Sequence, residues 1–189
     1  MEIGASLPSL AKKGSMVAVR QTDASERSEY RVVRFDGDLT VKQQVIARYL
    51  DAQEQAEALP YSSVAVTPAN YTFHYVGSIE TNGTTIYVFQ IAPRKKRLGL
   101  IGGQISIDSA TGAAVHQAGR SVKRPSVFVR GIEVARDTNL QNGLAYTRVT
   151  RVVIDTRLVG RAELTIVERP LQTADLQVDQ QLSTDGGAR

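Results

Sequence analysis

From Asn70 to Glu168 the chain repeats one pattern, a short run with strand periodicity followed by a turn signal. "YTFHYVGSIE" sets Phe73, Tyr75 and Ile79 on one face, with Thr72, His74, Ser78 and Glu80 mostly on the other. "TNG" at 81–83 is a hairpin turn, because Asn-Gly readily supplies positive φ. "TTIYVFQIA" follows and is apolar on both faces, which places it between two layers or between a layer and a cavity. "LIGGQISID", "AAVHQAGRS", "PSVFVRGIEVARD", "LAYTRVTRVVID" and "RLVGRAELTIVE" continue the run, with "SATG" and "TNLQNG" as turns. In the last of them Leu158, Ala162, Leu164 and Ile166 share one parity. About seven antiparallel strands are implied, and a sheet of that length must curl, split or close.

Ahead of the strands the period changes. "LTVKQQVIARYLDAQEQAEALP" carries Val41, Val45, Tyr49, Ala52 and Ala56 at helical spacing. Thr40 reads as its N-cap, Gln43 completes a capping box, and Pro60 ends it. One apolar stripe on one long helix is the mark of a cover laid over a sheet. "EYRVVRFDG" at 29–37 reads as a strand. Residues 1–28 read as a loose lead-in with one short strand near Met16–Val19, and 169–189 as a flexible tail rich in Gln and Asp. The fold class is therefore α+β, mostly β: a curved, unclosed antiparallel sheet with a helix over its concave face, as a single domain over 29–168.

Composition narrows the chemistry. Hydrophobic residues make up 42% and charged residues 22%, the balance of a globular domain. Cysteine is absent, which removes disulfides, thiolate metal sites and thiol nucleophiles. No apolar run reaches the roughly 18–20 residues of a membrane helix, and the first residues lack the basic-then-apolar order of a signal peptide. The formal charge is +4, and Arg94, Lys95, Lys96 and Arg97 account for all of it. A general nucleic-acid binder spreads its cations along a face and adds aromatic platforms, which this chain does not show. The ordinary reading of the basic run is a solvated hairpin turn; the functional one is contact with an anionic surface, either lipid headgroups or a protein.

No motif carries a reaction. "GLIGG" lacks the spacing of a phosphate loop and no helix follows it; its glycines suit a bulge or a close backbone approach in a curved sheet. "DTNLQNG" lacks the acidic spacing of a calcium loop, and there is no G-x-S-x-G elbow. His74 and His116, the two histidines, have no chelating neighbour at i+2 or i+4. Asp108 and His116 flank one hairpin and could meet, with no activated nucleophile beside them. No catalytic residue, metal ligand or cofactor is assigned.

What is left over is apolar. Phe73, Tyr75, Ile86, Tyr87, Val88, Phe89 and Ile91 crowd two adjacent strands on both faces, and one helix covers one side only. The remainder calls for a second cover, a partner or an apolar ligand.

Over roughly residues 29–168 the chain resembles the outer-membrane lipoprotein-sorting proteins, the LolA/LolB-like domains, and the related periplasmic domains of the MucB/RseB type. The similar segments are "TPANY" at Thr67–Tyr71, Pro93–Lys95, "GQISIDSATG" at Gly103–Gly112 and "KRPS" at Lys123–Ser126. The resemblance implies an unclosed half-barrel with helices over its concave face, a periplasmic or cell-envelope location, and non-enzymatic binding of a lipid or lipoprotein acyl chain. The lining expected for such a cavity is Phe73, Tyr75, Ile86, Tyr87, Val88, Phe89, Ile91, Ile105, Ile107 and Phe128, with Arg94–Arg97 touching an anionic membrane. The alternative is a protein-interaction or sensor domain of the same fold, with an envelope protein as partner and no lipid. Nucleic acid is not expected as a partner.

Overall fold

The computed structural model describes residues 1–22, 28–81, 83–157 and 159–170. Ten strands form one antiparallel sheet: β1 (Glu2–Leu7), β2 (Lys12–Thr22), β3 (Ser28–Gly37), β4 (Tyr71–Thr81), β5 (Thr84–Pro93), β6 (Ile101–Asp108), β7 (Ala114–Ser121), β8 (Val129–Gln141), β9 (Leu144–Thr156) and β10 (Arg161–Glu168). Their order is β3-β2-β1-β10-β9-β8-β7-β6-β5-β4, so β3 and β4 are open edges. The sheet is an unclosed half-barrel, as its sequence implies.

The first residues are not a loose lead-in. β1 lies between β2 and β10, pairing Ile3 with Met16 on one side and with Ile166 on the other. Its local pattern, "EIGASL", holds few strand-forming residues, which hid it. Long-range pairing decides its state, in keeping with the context dependence of strand propensity.

The register puts the apolar residues of most strands on one face. Directly opposed residues run Phe73–Ile91–Gly103–Gly119–Val134–Val152–Leu164–Ala5–Gly14 across the sheet. The next row runs Tyr75–Phe89–Ile105–Gln117–Arg136–Thr150–Ile166–Ile3–Met16. Opposed residues share a face, so both rows line the concave side. Gly103 and Gly119 are required there: a Cβ at Gly103 would stand 2.1 Å from the Ala118 carbonyl oxygen, and one at Gly119 would stand 2.2 Å from that of Gly102. β6 and β7 approach closely through this pair, the role expected of the glycines after the basic run.

The long helix runs through three consecutive segments, Leu39–Val41, Lys42–Ile46 and Ala47–Glu57. Asp38, not Thr40, is its N-cap, accepting the Thr40 N–H at 2.7 Å. The Thr40 hydroxyl instead accepts from Lys12 Nζ at 2.8 Å. The middle segment is π-helical, with the Ala47 N–H reaching back to the Lys42 carbonyl. A π turn holds an extra residue and rotates the stripe that follows. Val41, Val45 and Ile46 are therefore the buried positions, Tyr49 and Leu50 pack beside them, and Ala52 is exposed. They meet Ile3, Leu7, Met16, Ala18, Leu164 and Ile166 in the main core. Each such side chain, fully buried, contributes roughly 1.5–3 kcal/mol.

A second, smaller core of Tyr71, Ile91, Leu100 and Ile105 lies at the β4–β6 side, with Val64 from the helical turn Tyr61–Val64 against it. Among the described residues the helix thus covers the β2-β1-β10 part of the concave face, and the short turn covers one corner of the rest. Two strand boundaries differ from their sequence reading. β8 continues through "TNLQ", so the reversal is Asn142–Gly143 alone, both at positive φ, the geometry that matches strand twist. Pro125–Phe128 stand outside β8 in the loop before it. Residues 171–189, most of the expected tail, lie outside the described residues, as does Leu158.

Candidate functional site

The uncovered part of the concave face is aromatic. Phe73 meets Phe89 edge-on with centroids 6.3 Å apart, and Tyr75 meets Phe89 at 5.7 Å and Tyr87 at 6.4 Å. The cause is register: Tyr75 opposes Phe89, Phe73 opposes Ile91, and Tyr87 opposes Ile107. Tyr75 is 53% exposed, Tyr87 41% and Phe73 37%, which is high for rings in such a cluster. Beneath them Ile91 and Ile105 are buried in the smaller core, whose Tyr71 hydroxyl accepts the Ile101 N–H at 3.3 Å.

Of the residues expected to line a cavity, Phe73, Tyr75, Tyr87, Phe89, Ile91, Ile105 and Ile107 share this face. Ile86 and Val88 do not: they alternate with Tyr87 and Phe89 and point to the convex side, opposite Asp108 and Ser106. Ile79 leaves the face for a different reason. A bulge at Val76, between Tyr75 and Gly77, reverses the parity of the rest of β4. Phe128 sits in the loop before β8, away from the rings.

The aromatic surface borders β4, a strand paired on one side only among the described residues. Between Tyr71 and Thr81 the strand holds one carboxylate, Glu80, no lysine, no arginine and no proline. Val76 and Ile79 of the same strand are more than half exposed. The opposite edge, β3, carries Glu29, Arg31, Arg34 and Asp36, charges of the kind that blunt an edge.

A cavity of about 570 Å³ lies elsewhere and is not apolar. Arg120, Arg124, Arg130 and Arg161 ring it together with Glu133 and Asp155, and none of the expected acyl contacts lines it. A small cleft of about 70 Å³ lies beside Arg94, Lys95 and Arg97. Arg94 Nε donates to the Pro68 carbonyl at 2.8 Å, which ties the start of the basic run to the turn before β4.

Two polar groupings went unread in the sequence. On the concave face, where the helix ends, Arg20 bonds Glu57 at 3.1 Å and lies 3.9 Å from Glu168, with Arg148 3.9 Å from the same carboxylate. The Tyr30 hydroxyl reaches Glu57 at 3.2 Å. Burial, with Glu168 nearby, pushes the Tyr49 hydroxyl up to about 12, and burial with Glu57 raises Tyr30 further. Burial, then Arg148, lowers the Arg136 guanidinium from its usual value. These groups are scattered from position 20 to position 168, and no spacing could have joined them. On the convex face His116 Nδ1 lies 2.7 Å from Asp137 Oδ1, and Arg151 lies 2.8 Å from Asp137 Oδ2. The expected Asp108–His116 pair does not form: Asp108 caps its own hairpin through Ala110 and Thr111. Among the described residues no group of His, Asp and Glu is placed to hold a metal, and no helix is long and apolar enough to cross a membrane.

No family model and no curated protein matches this chain. Two solved structures are similar to it. "Crystal structure of MucB" is 16% identical over 92% of this chain and 88% of that one, with a TM-score of 0.28. "The complex structure of Pseudomonas aeruginosa MucA/MucB" is 13% identical over 93% and 89%, with a TM-score of 0.25. At these values no residue is carried across, and the candidate site rests on its own geometry.

Proposed function

We propose that this protein is a non-enzymatic interaction domain of the cell envelope, which takes a protein partner along the β4 edge and the aromatic surface beside it. The observation that carries the reading is the coincidence of two unfinished features. Among the described residues β4 has a free backbone edge, with Glu80 as its single acidic or basic charge. Phe73, Tyr75 and Tyr87 stand half open directly behind that edge. A partner strand added to β4 would satisfy its free N–H and C=O groups, and an apolar side chain of the partner would bury the rings. Tyrosine and phenylalanine are the residue types that dominate such contacts. The envelope location follows the family resemblance of the sequence.

A second reading uses the same rings. An acyl chain laid across Phe73, Tyr75, Tyr87 and Phe89 would gain about 0.8 kcal/mol for each CH₂ group it buries. One experiment separates the two. A photo-crosslinking amino acid replaces Tyr75 in one variant and Thr165, on the convex face, in a control. After irradiation in cells, the adducts are resolved by mass spectrometry. A protein adduct formed at position 75 and absent at 165 supports the protein partner. A lipid mass at 75 transfers the site to the acyl-chain reading. Equal labelling at both positions, or none at 75, overturns both.

A further inference from the structure

The antiparallel order brings three separate loops to one end of the sheet. The loop after β5 holds Arg94–Arg97, the loop after β7 holds Lys123 and Arg124, and the turn after β9 holds Arg157. They touch: the Val122 N–H donates to the Leu100 carbonyl at 3.1 Å, and the Arg157 N–H to that of Phe128 at 2.9 Å. Arg130 opens β8 at the same end, and Arg124 and Arg130 both line the arginine-ringed cavity. Among the described residues none of Lys95, Lys96, Arg97, Lys123, Arg124, Arg130 and Arg157 makes an ion pair. At the other end of these strands the hairpin turns 81–84, 109–113 and 142–143 contain no lysine or arginine at all.

Charge is half of the pattern. Val127 is 75% exposed and Phe128 53%, in the last turn of the loop that carries Lys123 and Arg124. Leu98 is also exposed beside the basic run. Exposed apolar side chains among unpaired cations suit a surface that is anionic outside and apolar a few ångströms deeper. A polyanion in water offers only the first of these.

We infer that this end of the sheet, with Val127 and Phe128 exposed beside its cations, docks on an anionic lipid bilayer. The cations hold the headgroup phosphates and the two apolar residues enter the interface. This contact is separate from the β4 edge, and either can fail without the other.

The chain contains no tryptophan, so Phe128→Trp creates a single reporter in that loop. The full chain is floated with phosphatidylglycerol–phosphatidylcholine vesicles and with pure phosphatidylcholine vesicles. The expected result is binding to the first only, with a blue-shifted emission of the Phe128→Trp variant. The double variant Arg124→Ser/Arg130→Ser is expected to bind at least about tenfold more weakly, since each cation near such a surface acts independently. Unchanged circular dichroism keeps that loss from being a folding defect. Absence of vesicle binding overturns the inference. So does vesicle binding without a blue shift, matched by equal binding to heparin, which would make the end a general polyanion site.

Discussion

Asp137 serves two partners from one position on the convex face, His116 at 2.7 Å and Arg151 at 2.8 Å. The hydrogen bond from His116, with Arg151 adding to it, holds its carboxyl below the usual range. In an unfolded chain the group titrates near ~3.9. Its folded value is lower, so its contribution to stability is whole above about pH 4 and is lost as pH falls through the folded value. Asp137→Asn should therefore lower the urea midpoint at neutral pH and match the parent once both are measured at acid pH. An equal penalty at both pH values would mean that the charge of Asp137 is irrelevant to the fold. His116 shows the limit of reading residues by nearness in sequence. Asp108 is close along the chain but is held by Thr111 in its own turn, while Asp137 arrives across the β7–β8 ladder. Such a pair becomes legible only when the strand register is known.

Within the elements, two local features set how well the layers meet. The π turn at Lys42–Ile46 brings Ile46 into the core, where it is 1% exposed. Ile46→Ala should cost about 2–5 kcal/mol, the range for truncating a buried isoleucine, whereas Ala52→Ser on the exposed side should cost almost nothing. A denaturation series that ranked the two equally would remove the π turn as the reason for the shifted stripe. The existence of the helix was readable because its periodicity is strong; the shift was not, because a π turn leaves no mark in a hydrophobic pattern. The second feature is the Gly103–Gly119 contact. Gly119→Ala places a methyl carbon 2.2 Å from the Gly102 carbonyl oxygen, so β6 and β7 must separate. The expected loss is about 1–3 kcal/mol or more, read as a lowered midpoint. The glycines pointed to a close approach in the sequence; which backbone came close did not follow from it. The bulge at Val76 is a similar case. It moved Ile79 off the aromatic face, and alternation alone predicts no bulge.

At the scale of the whole molecule, the chain closes on itself through its first strand. β1 pairs with β10, so Ile3 opposes Ile166 from the far end of the domain. Sequence periodicity recovered the meander from β4 to β10 because each pairing there is local. It missed β1 because that strand has little pattern of its own and one of its two partners, β10, lies at the far end of the domain. The same fact predicts how the protein folds and fails. Contacts of such long sequence separation slow folding, since the loop must close before they reward it. Removing residues 1–22 should do more than trim an end. It takes Ile3, Leu7, Met16 and Ala18 from the main core, uncovers Val41, Val45 and Ile46 on the helix, and turns β10 into an unprotected edge. The truncated chain should lose its cooperative thermal transition and aggregate, while the small core around Tyr71, Ile91, Leu100 and Ile105 keeps all of its members. A truncated protein that stays monomeric and melts in one transition at the parent temperature would show that the β4–β10 meander folds alone and that β1 and β2 are an addition to it.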